Sequence, residues 1–172
     1  SGTRAEITVC DLTEGMLIEG RKRAEQRSVA YPQYETHFDW LCGTATGLAL
    51  PSNHFDCYTI SFGLRNVDEP QKGLEEAYRV LKPGGRFFCL EFSKVVLPLL
   101  SPVYEAYSFN VIPQMGQVVA GDRDSYQYLV ESIRRFPPQL ELESMMRDAG
   151  FDRVSHTNMN GGIVAIHSGW KI

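Results

Sequence analysis

No Gly-x-Gly-x-x-Gly element occurs in the 172 residues, so the usual mark of a nucleotide cradle after a first strand is missing. Gly84-Gly85 does not replace it, because the pair follows a helical segment and precedes a strand, the place of a helix stop. Cysteine is sparse. Cys10, Cys42, Cys57 and Cys89 offer no Cys-x-x-Cys spacing, which argues against zinc and dithiol frameworks and for free, buried thiols in a reducing compartment. His37, His54, His156 and His167 lack ligand spacing, so no metal is expected. No apolar run reaches the ~18 residues that cross a bilayer, and no signal or transit segment is expected. Positive charge is not in excess: 17 Lys and Arg stand against 21 Asp and Glu, a net charge of −4. Without a basic face, nucleic acid is not an expected partner. Arg21-Lys22-Arg23 and Arg134-Arg135 are short and mixed with acids, and read as solvated helix faces. There is no repeat, low-complexity tract or linker, so residues 1–172 are expected to form one domain.

What is present is an alternation of strand and helix patterns. Residues 5–10 are β-branched and end at Asp11, and Met16, Leu17, Gly20 and Ala24 then follow helical spacing. Residues 26–36 are polar without a period and are expected to loop. Residues 37–42 form a second strand, and 43–53 a turn-rich connection. Residues 55–62 alternate little and are largely apolar, and read as a strand covered on both faces. Glu69-Pro70 opens a helix with Leu74, Ala77, Tyr78 and Leu81 on one side, Pro83-Gly84-Gly85 stops it, and 86–92 is the next strand. A long segment, 95–127, is rich in Pro, Tyr, Phe and Gly, and insertions of that size often carry function. Residues 125–135 are expected to be helical. A further helix begins at Pro137-Pro138 with Leu140, Met145, Met146 and Ala149 inward and Gly150 at its end. Two strands, 151–159 and 162–170, pair antiparallel across Asn160-Gly161-Gly162. The order indicates an α/β fold, a doubly wound and mostly parallel sheet with one reversed strand near its edge.

In such sheets ligands bind beyond the carboxyl ends of the strands. Those ends carry Ser61, Arg65, Asn66, Glu91 and Ser93. Glu91 sits in an apolar strand, where an unpaired carboxylate would be costly, and Arg65 is the partner the topology offers. Asp11, at a strand end before a helix, has two readings: a ribose acceptor or an N-cap. Tyr104, Tyr107, Ser108, Phe109, Val111, Tyr126 and Tyr128 crowd the long insertion, either as a packed helical lid or as a wall for a flat, apolar ligand. His167 reads as a strand residue with a satisfied ring.

Five segments together resemble one family. They are Phe62-Gly63-Leu64-Arg65-Asn66-Val67, Arg79-Val80-Leu81-Lys82-Pro83-Gly84-Gly85-Arg86, Leu90-Glu91-Phe92-Ser93, the run from Ser125 to Arg134, and the ending from Gly162 to Gly169. They are similar to the C-methyltransferases of ubiquinone and menaquinone biosynthesis, most of all the mitochondrial branch acting on 2-methoxy-6-polyprenyl-1,4-benzoquinol. The resemblance implies a Rossmann-like class I methyltransferase fold and S-adenosylmethionine as cofactor. It implies Asp11 at the cofactor ribose, Met16 near the adenine, Thr44 and Ala45 at the adenine amine, and Ser61 at the methionine end. It places Arg65 and Asn66 at the substrate ring, with Arg65 helping to remove the ring proton through water. It further implies a polyprenyl quinol substrate, other ubiquinone-biosynthesis proteins as partners, peripheral membrane association, a homodimer, and a place on the matrix side of the mitochondrial inner membrane or, alternatively, in a bacterial cytoplasm.

Two departures stand out. The family carries Gly-Asp-Ala where this sequence has Gly43-Thr44-Ala45, so a hydroxyl replaces the expected carboxylate. Its first strand and glycine-rich loop have no counterpart, so the sequence is expected to be a truncated form, with weak cofactor binding and self-association across a split sheet. A non-catalytic partner in a quinone-biosynthesis complex, or a methyltransferase for another small aromatic, are the alternatives.

Overall fold

The computed structural model describes residues 5–30, 36–96 and 123–172. They fall into two compact units, Ser1–Ala49 and Leu50–Ile172.

In the first unit, β1 (Ala5–Asp11) and β2 (Thr36–Cys42) flank α1 (Glu14–Ala30). The strands pair in parallel, from Ala5 opposite Thr36 to Asp11 opposite Cys42, so their carboxyl ends emerge side by side. Parallel neighbours need a crossover, and α1 is the helix of that connection. Leu17 is buried beneath it. Gly20 meets Trp40 so closely that a Cβ there would lie 2.7 Å from the indole ring. The helix continues through Gln26, Arg27 and Ser28, where a loop was expected. Gln and Arg are good helix formers, and a solvent-facing turn needs no apolar period.

The second unit contains β3 (Phe55–Ser61), a 3-10 turn (Leu64–Asn66), α2 (Pro70–Val80), β4 (Leu81–Phe92), α3 (Arg123–Arg135), α4 (Gln139–Asp148), β5 (Asp152–Met159) and β6 (Val164–Trp170). The strand order is β3-β4-β6-β5. β3 and β4 are parallel, while β6 runs antiparallel to both β4 and β5. The reversed strand near the edge is therefore β6.

Helices α2 and α4 cover one face of this sheet. Leu74, Ala77, Leu81, Phe87, Leu142 and Met146 form the centre of the core. In α4 the inward phase differs from the sequence expectation: Leu140 is 72% exposed and Leu142 is fully buried. The spacing Leu142, Met146, Ala149 sets one stripe, and Leu140 lies two residues, or about 200°, from Leu142. β3 is likewise not covered on both faces. Tyr58 and Ile60 pack on the core, whereas Cys57, Thr59 and Ser61 face the other way and are exposed. The same alternation corrects the reading of the thiols, since Cys10, Cys42 and Cys57 are exposed and Cys89 is buried. Among the described residues no helix is long and apolar enough to cross a membrane.

A polar cluster ties α4 to the β5–β6 hairpin. The Glu143 carboxylate accepts from Arg147 and lies 2.7 Å from His156 Nδ1. The His167 ring stacks on His156 at 5.4 Å. His167 Nε2 is 3.1 Å from the carbonyl oxygen of Gln139, which can only accept, so Nε2 carries the proton. Nδ1 is then bare, buried and without a partner among the described residues, which corrects the expectation of a fully satisfied ring. Burial, together with the nearby His156, pushes the His167 pKa down. A histidine whose folded pKa is lowered stabilises the fold above its unfolded pKa, and that stability is lost as pH falls below about 6.5. We therefore expect thermal stability to drop as pH falls through the range just below neutrality, with a limiting slope of about 1.4 kcal/mol per pH unit per proton. His167→Gln, which can still donate to Gln139, should flatten that slope; an unchanged slope in melts across this range would show that His167 does not govern it.

Candidate active site at the strand ends

The chain leaves β3 at Ser61 through a left-handed residue. Phe62 has φ +53°, and its N–H still donates to the Leu90 carbonyl at 2.8 Å. This turns the Phe62 carbonyl back toward the 3-10 turn, where it accepts from Arg65 Nη1 and, at 3.4 Å, from Asn66 Nδ2. Leu64, fully buried, anchors the turn to the core. Arg65 and Asn66 are thereby presented together at the sheet's carboxyl edge.

Glu91, near the end of β4, supplies the counter-charge. Arg65 Nη1 lies 3.2 Å from each Glu91 carboxylate oxygen, and the Arg65 N–H donates to Oε1 at 3.1 Å. The Phe92 N–H donates to Oε2 at 3.0 Å. The expected pairing of Arg65 with Glu91 is present. The Glu91 side chain is 1% exposed and that of Arg65 12%. Burial pushes the Glu91 carboxyl up, against the opposing pull of Arg65 and the two backbone donors. The guanidinium carbon also sits 5.9 and 5.5 Å from the ring centres of Phe62 and Phe92. Arg65 Nε is buried without a hydrogen-bond partner among the described residues.

Across from this pair lies α3. An open cleft of about 300 Å³ is lined by Arg65, Asn66, Ser125, Tyr126, Tyr128 and Leu129. The Tyr128 hydroxyl donates to Asn66 Oδ1 at 3.3 Å. With its Nδ2 on Phe62 and its Oδ1 under Tyr128, the Asn66 amide is held from both ends. Helix α3 is fixed by buried Val130 and Phe136. Lys94, just beyond β4, donates to the last carbonyls of α3, Ile133 at 3.0 Å and Arg134 at 2.7 Å, a favourable place for a cation. The parts not legible in the sequence are backbone groups, the Phe62 carbonyl and Phe92 N–H, and the helix-capping Lys94. Only the Ser61-Phe62-Gly63 turn hinted at them.

Of the remaining candidates, Ser93 is buried, its hydroxyl without a partner among the described residues. Tyr104, Tyr107, Ser108, Phe109 and Val111 lie outside the described residues. Ser61 is exposed at the end of β3. In the first unit, Asp11 Oδ1 accepts the Thr13 N–H at 2.7 Å, so its carboxylate organises the first turn beyond β1. The N-cap reading does not hold for Asp11: α1 begins at Glu14, so the cap position falls to Thr13, whose carbonyl accepts from the Met16 and Leu17 N–H groups, while Asp11 Oδ2 has no protein partner among the described residues. Thr44 shares the carboxyl edge with Asp11, its hydroxyl 3.0 Å from that of Thr46. Ala45 is half-buried and Met16 is exposed on α1.

The fold is that of the class I S-adenosylmethionine-dependent methyltransferases. An S-adenosylmethionine-dependent methyltransferase from Thermotoga maritima superposes with a TM-score of 0.63 at 21% identity, covering 100% of this chain and 83% of that one. Another from Aquifex aeolicus gives 0.61 at 18% identity, covering 97% and 69%. The protein belongs to the ubiE/COQ5 methyltransferase family, whose model matches residues 1–171. A ubiquinone/menaquinone biosynthesis C-methyltransferase of Cereibacter sphaeroides is 58% identical over 168 residues, 98% of this chain and 65% of the relative. The mitochondrial 2-methoxy-6-polyprenyl-1,4-benzoquinol methylase of Gallus gallus is 54% identical over 98% of this chain and 52% of the relative. The chain thus spans about half to two thirds of the length of these relatives.

Proposed function

We propose that this protein methylates a ring carbon of 2-methoxy-6-polyprenyl-1,4-benzoquinol in ubiquinone biosynthesis. The observation that carries this reading is the Arg65 guanidinium, held by Glu91 beside Asn66 in a cleft walled by Tyr126 and Tyr128. A flat aromatic ring with hydroxyl groups suits such a cleft: the tyrosines offer faces, and Arg65 and Asn66 offer polar groups for the ring oxygens. A hydroquinol carbon is already nucleophilic, so the protein's task is chiefly alignment. Arg65 is a poor direct base, but it can orient the water that takes the ring proton.

S-adenosylmethionine, when bound, supplies an electrophilic methyl group. The residues present fit it. Asp11 has a carboxylate oxygen open to ribose hydroxyls at a strand end. Thr44 can hydrogen-bond the adenine amine through its hydroxyl, Ala45 and Met16 offer apolar contact, and Ser61 is proposed for the methionine end. Two relatives carry quinone-biosynthesis names, which supports the quinol as substrate. With it come the proposals of association with other ubiquinone-biosynthesis proteins, peripheral attachment to the matrix side of the mitochondrial inner membrane or a bacterial cytoplasmic location, and a homodimer.

The test is methyl transfer from isotopically labelled S-adenosylmethionine to a short-tailed 2-methoxy-6-prenyl hydroquinone. The expected product carries the label on a ring carbon. Label on an unprenylated phenol alone would move the assignment to another small aromatic. Quinol binding without transfer would favour a non-catalytic partner.

A further inference from the structure

We propose that Glu91 is the positioning residue for Arg65, setting which guanidinium nitrogens remain available in the cleft; the inference rests on the reading of Arg65 as a substrate-facing group. Arg65 Nη1 is consumed by the Glu91 carboxylate and the Phe62 carbonyl. Nη2 has no hydrogen-bond partner among the described residues, and Nε is buried without one. A guanidinium presents five N–H donors in a rigid plane, so holding one corner fixes the direction of the others. Glu91 holds that corner and also accepts the Arg65 backbone N–H, so side chain and main chain of the same residue are gripped by one carboxylate. The Phe92 N–H in turn fixes the carboxylate plane. The Phe62 and Phe92 rings, 4.8 Å apart, pack beside the guanidinium and limit its alternatives. The arrangement converts a flexible surface residue into a donor aimed from a rigid strand end.

Glutamine at position 91 keeps the shape but not the charge. Its amide N–H₂ must face Arg65 Nη1 together with either the Arg65 or the Phe92 backbone N–H, donor against donor, so one of the two contacts to Nη1 and the charge that strengthens the other are lost.

The test uses the chain with Glu91→Gln, Glu91→Asp, Arg65→Ala and the Arg65→Ala/Glu91→Gln double variant. Hydrogen exchange of the Arg65 Nε–H, assigned by its absence in Arg65→Ala, reports the guanidinium directly. Exchange should quicken about tenfold or more in Glu91→Gln, as expected on losing a charge-assisted hydrogen bond, with partial recovery in Glu91→Asp. Affinity for a short-tailed 2-methoxy-6-prenyl hydroquinone should fall in Glu91→Gln yet be unaffected by the same change in the Arg65→Ala background. Unchanged Nε–H exchange, or an equal affinity loss in both backgrounds, overturns the proposal. Quickened exchange in a parent chain that does not bind the hydroquinone would sustain the positioning and reject the quinol reading instead.

Discussion

Arg65→Ala should lower turnover by about 10²-fold or more, the scale of losing a group that assists proton removal, while leaving S-adenosylmethionine affinity nearly unchanged. The side chain touches Glu91, Phe62 and Phe92 and lines the cleft beside Asn66. Equal losses in turnover and cofactor affinity would remove its assigned role. The same substitution has a stability cost that can be separated from catalysis. Glu91 is left buried without its cation, and breaking such a pair costs about 3–5 kcal/mol. Its carboxyl, already pushed up by burial, keeps the backbone donors of residues 65 and 92 but loses the guanidinium that also opposed the shift. An acid whose folded pKa is raised favours the fold while it is protonated, and that stability is lost as pH rises through the folded value. Urea melts of Arg65→Ala should therefore show the deficit shrinking as pH is lowered. A deficit independent of pH would mean that Glu91 is not the source of the cost.

Gly162→Ala should destabilise the second unit by roughly 2–4 kcal/mol, combining left-handed backbone strain with overpacking. Gly162 has φ +96°, and a Cβ built on it would lie 2.6 Å from the Lys94 carbonyl oxygen and 2.9 Å from the Val96 nitrogen. Both are backbone atoms, so neither can swing aside. Gly84→Ala is the matched comparison, because Gly84 has φ +83° but nothing within 4 Å of the added carbon; it should cost only the backbone strain, about 1–2 kcal/mol. Denaturant midpoints for the two variants give the clash by difference. Equal costs would mean that the turn relaxes around the methyl. The consequence for the site follows from Lys94, which binds Gln139 through its carbonyl at 2.8 Å and the end of α3 through its ammonium. Displacing it loosens the helix that carries Tyr126 and Tyr128, so weaker quinol binding should accompany the loss of stability.

Much of this site could be read in advance, for identifiable reasons. Arg65 and Asn66 follow a strand, and ligand sites gather where strands end. Glu91 lies in an apolar strand, where a buried carboxylate requires a cation, and Arg65 answers it at 3.2 Å. The structure departs from the local pattern where two phases of an element are similarly apolar. Leu140 and Leu142 are equally apolar, and the packing of α4 on the sheet chose Leu142. The run 55–62 reads as a strand covered on both faces, yet β3 packs Tyr58 and Ile60, partly buried, against the core while exposing Cys57 and Thr59.

Element type, the order of strands and helices, the reversed β6 and the residue types at the strand ends were determined by the sequence alone, because hydrophobic period, proline and glycine act over a few neighbouring residues. The tertiary structure decided the Phe62 carbonyl that gathers Arg65 and Asn66, the hydroxyl of Tyr128 on Asn66 and the ammonium of Lys94 on the end of α3. These contacts join residues up to 62 positions apart or run through backbone atoms that every residue possesses. No local pattern encodes them; they exist only once burial of Leu64, Leu74 and Leu142 has brought the strand ends and α3 together.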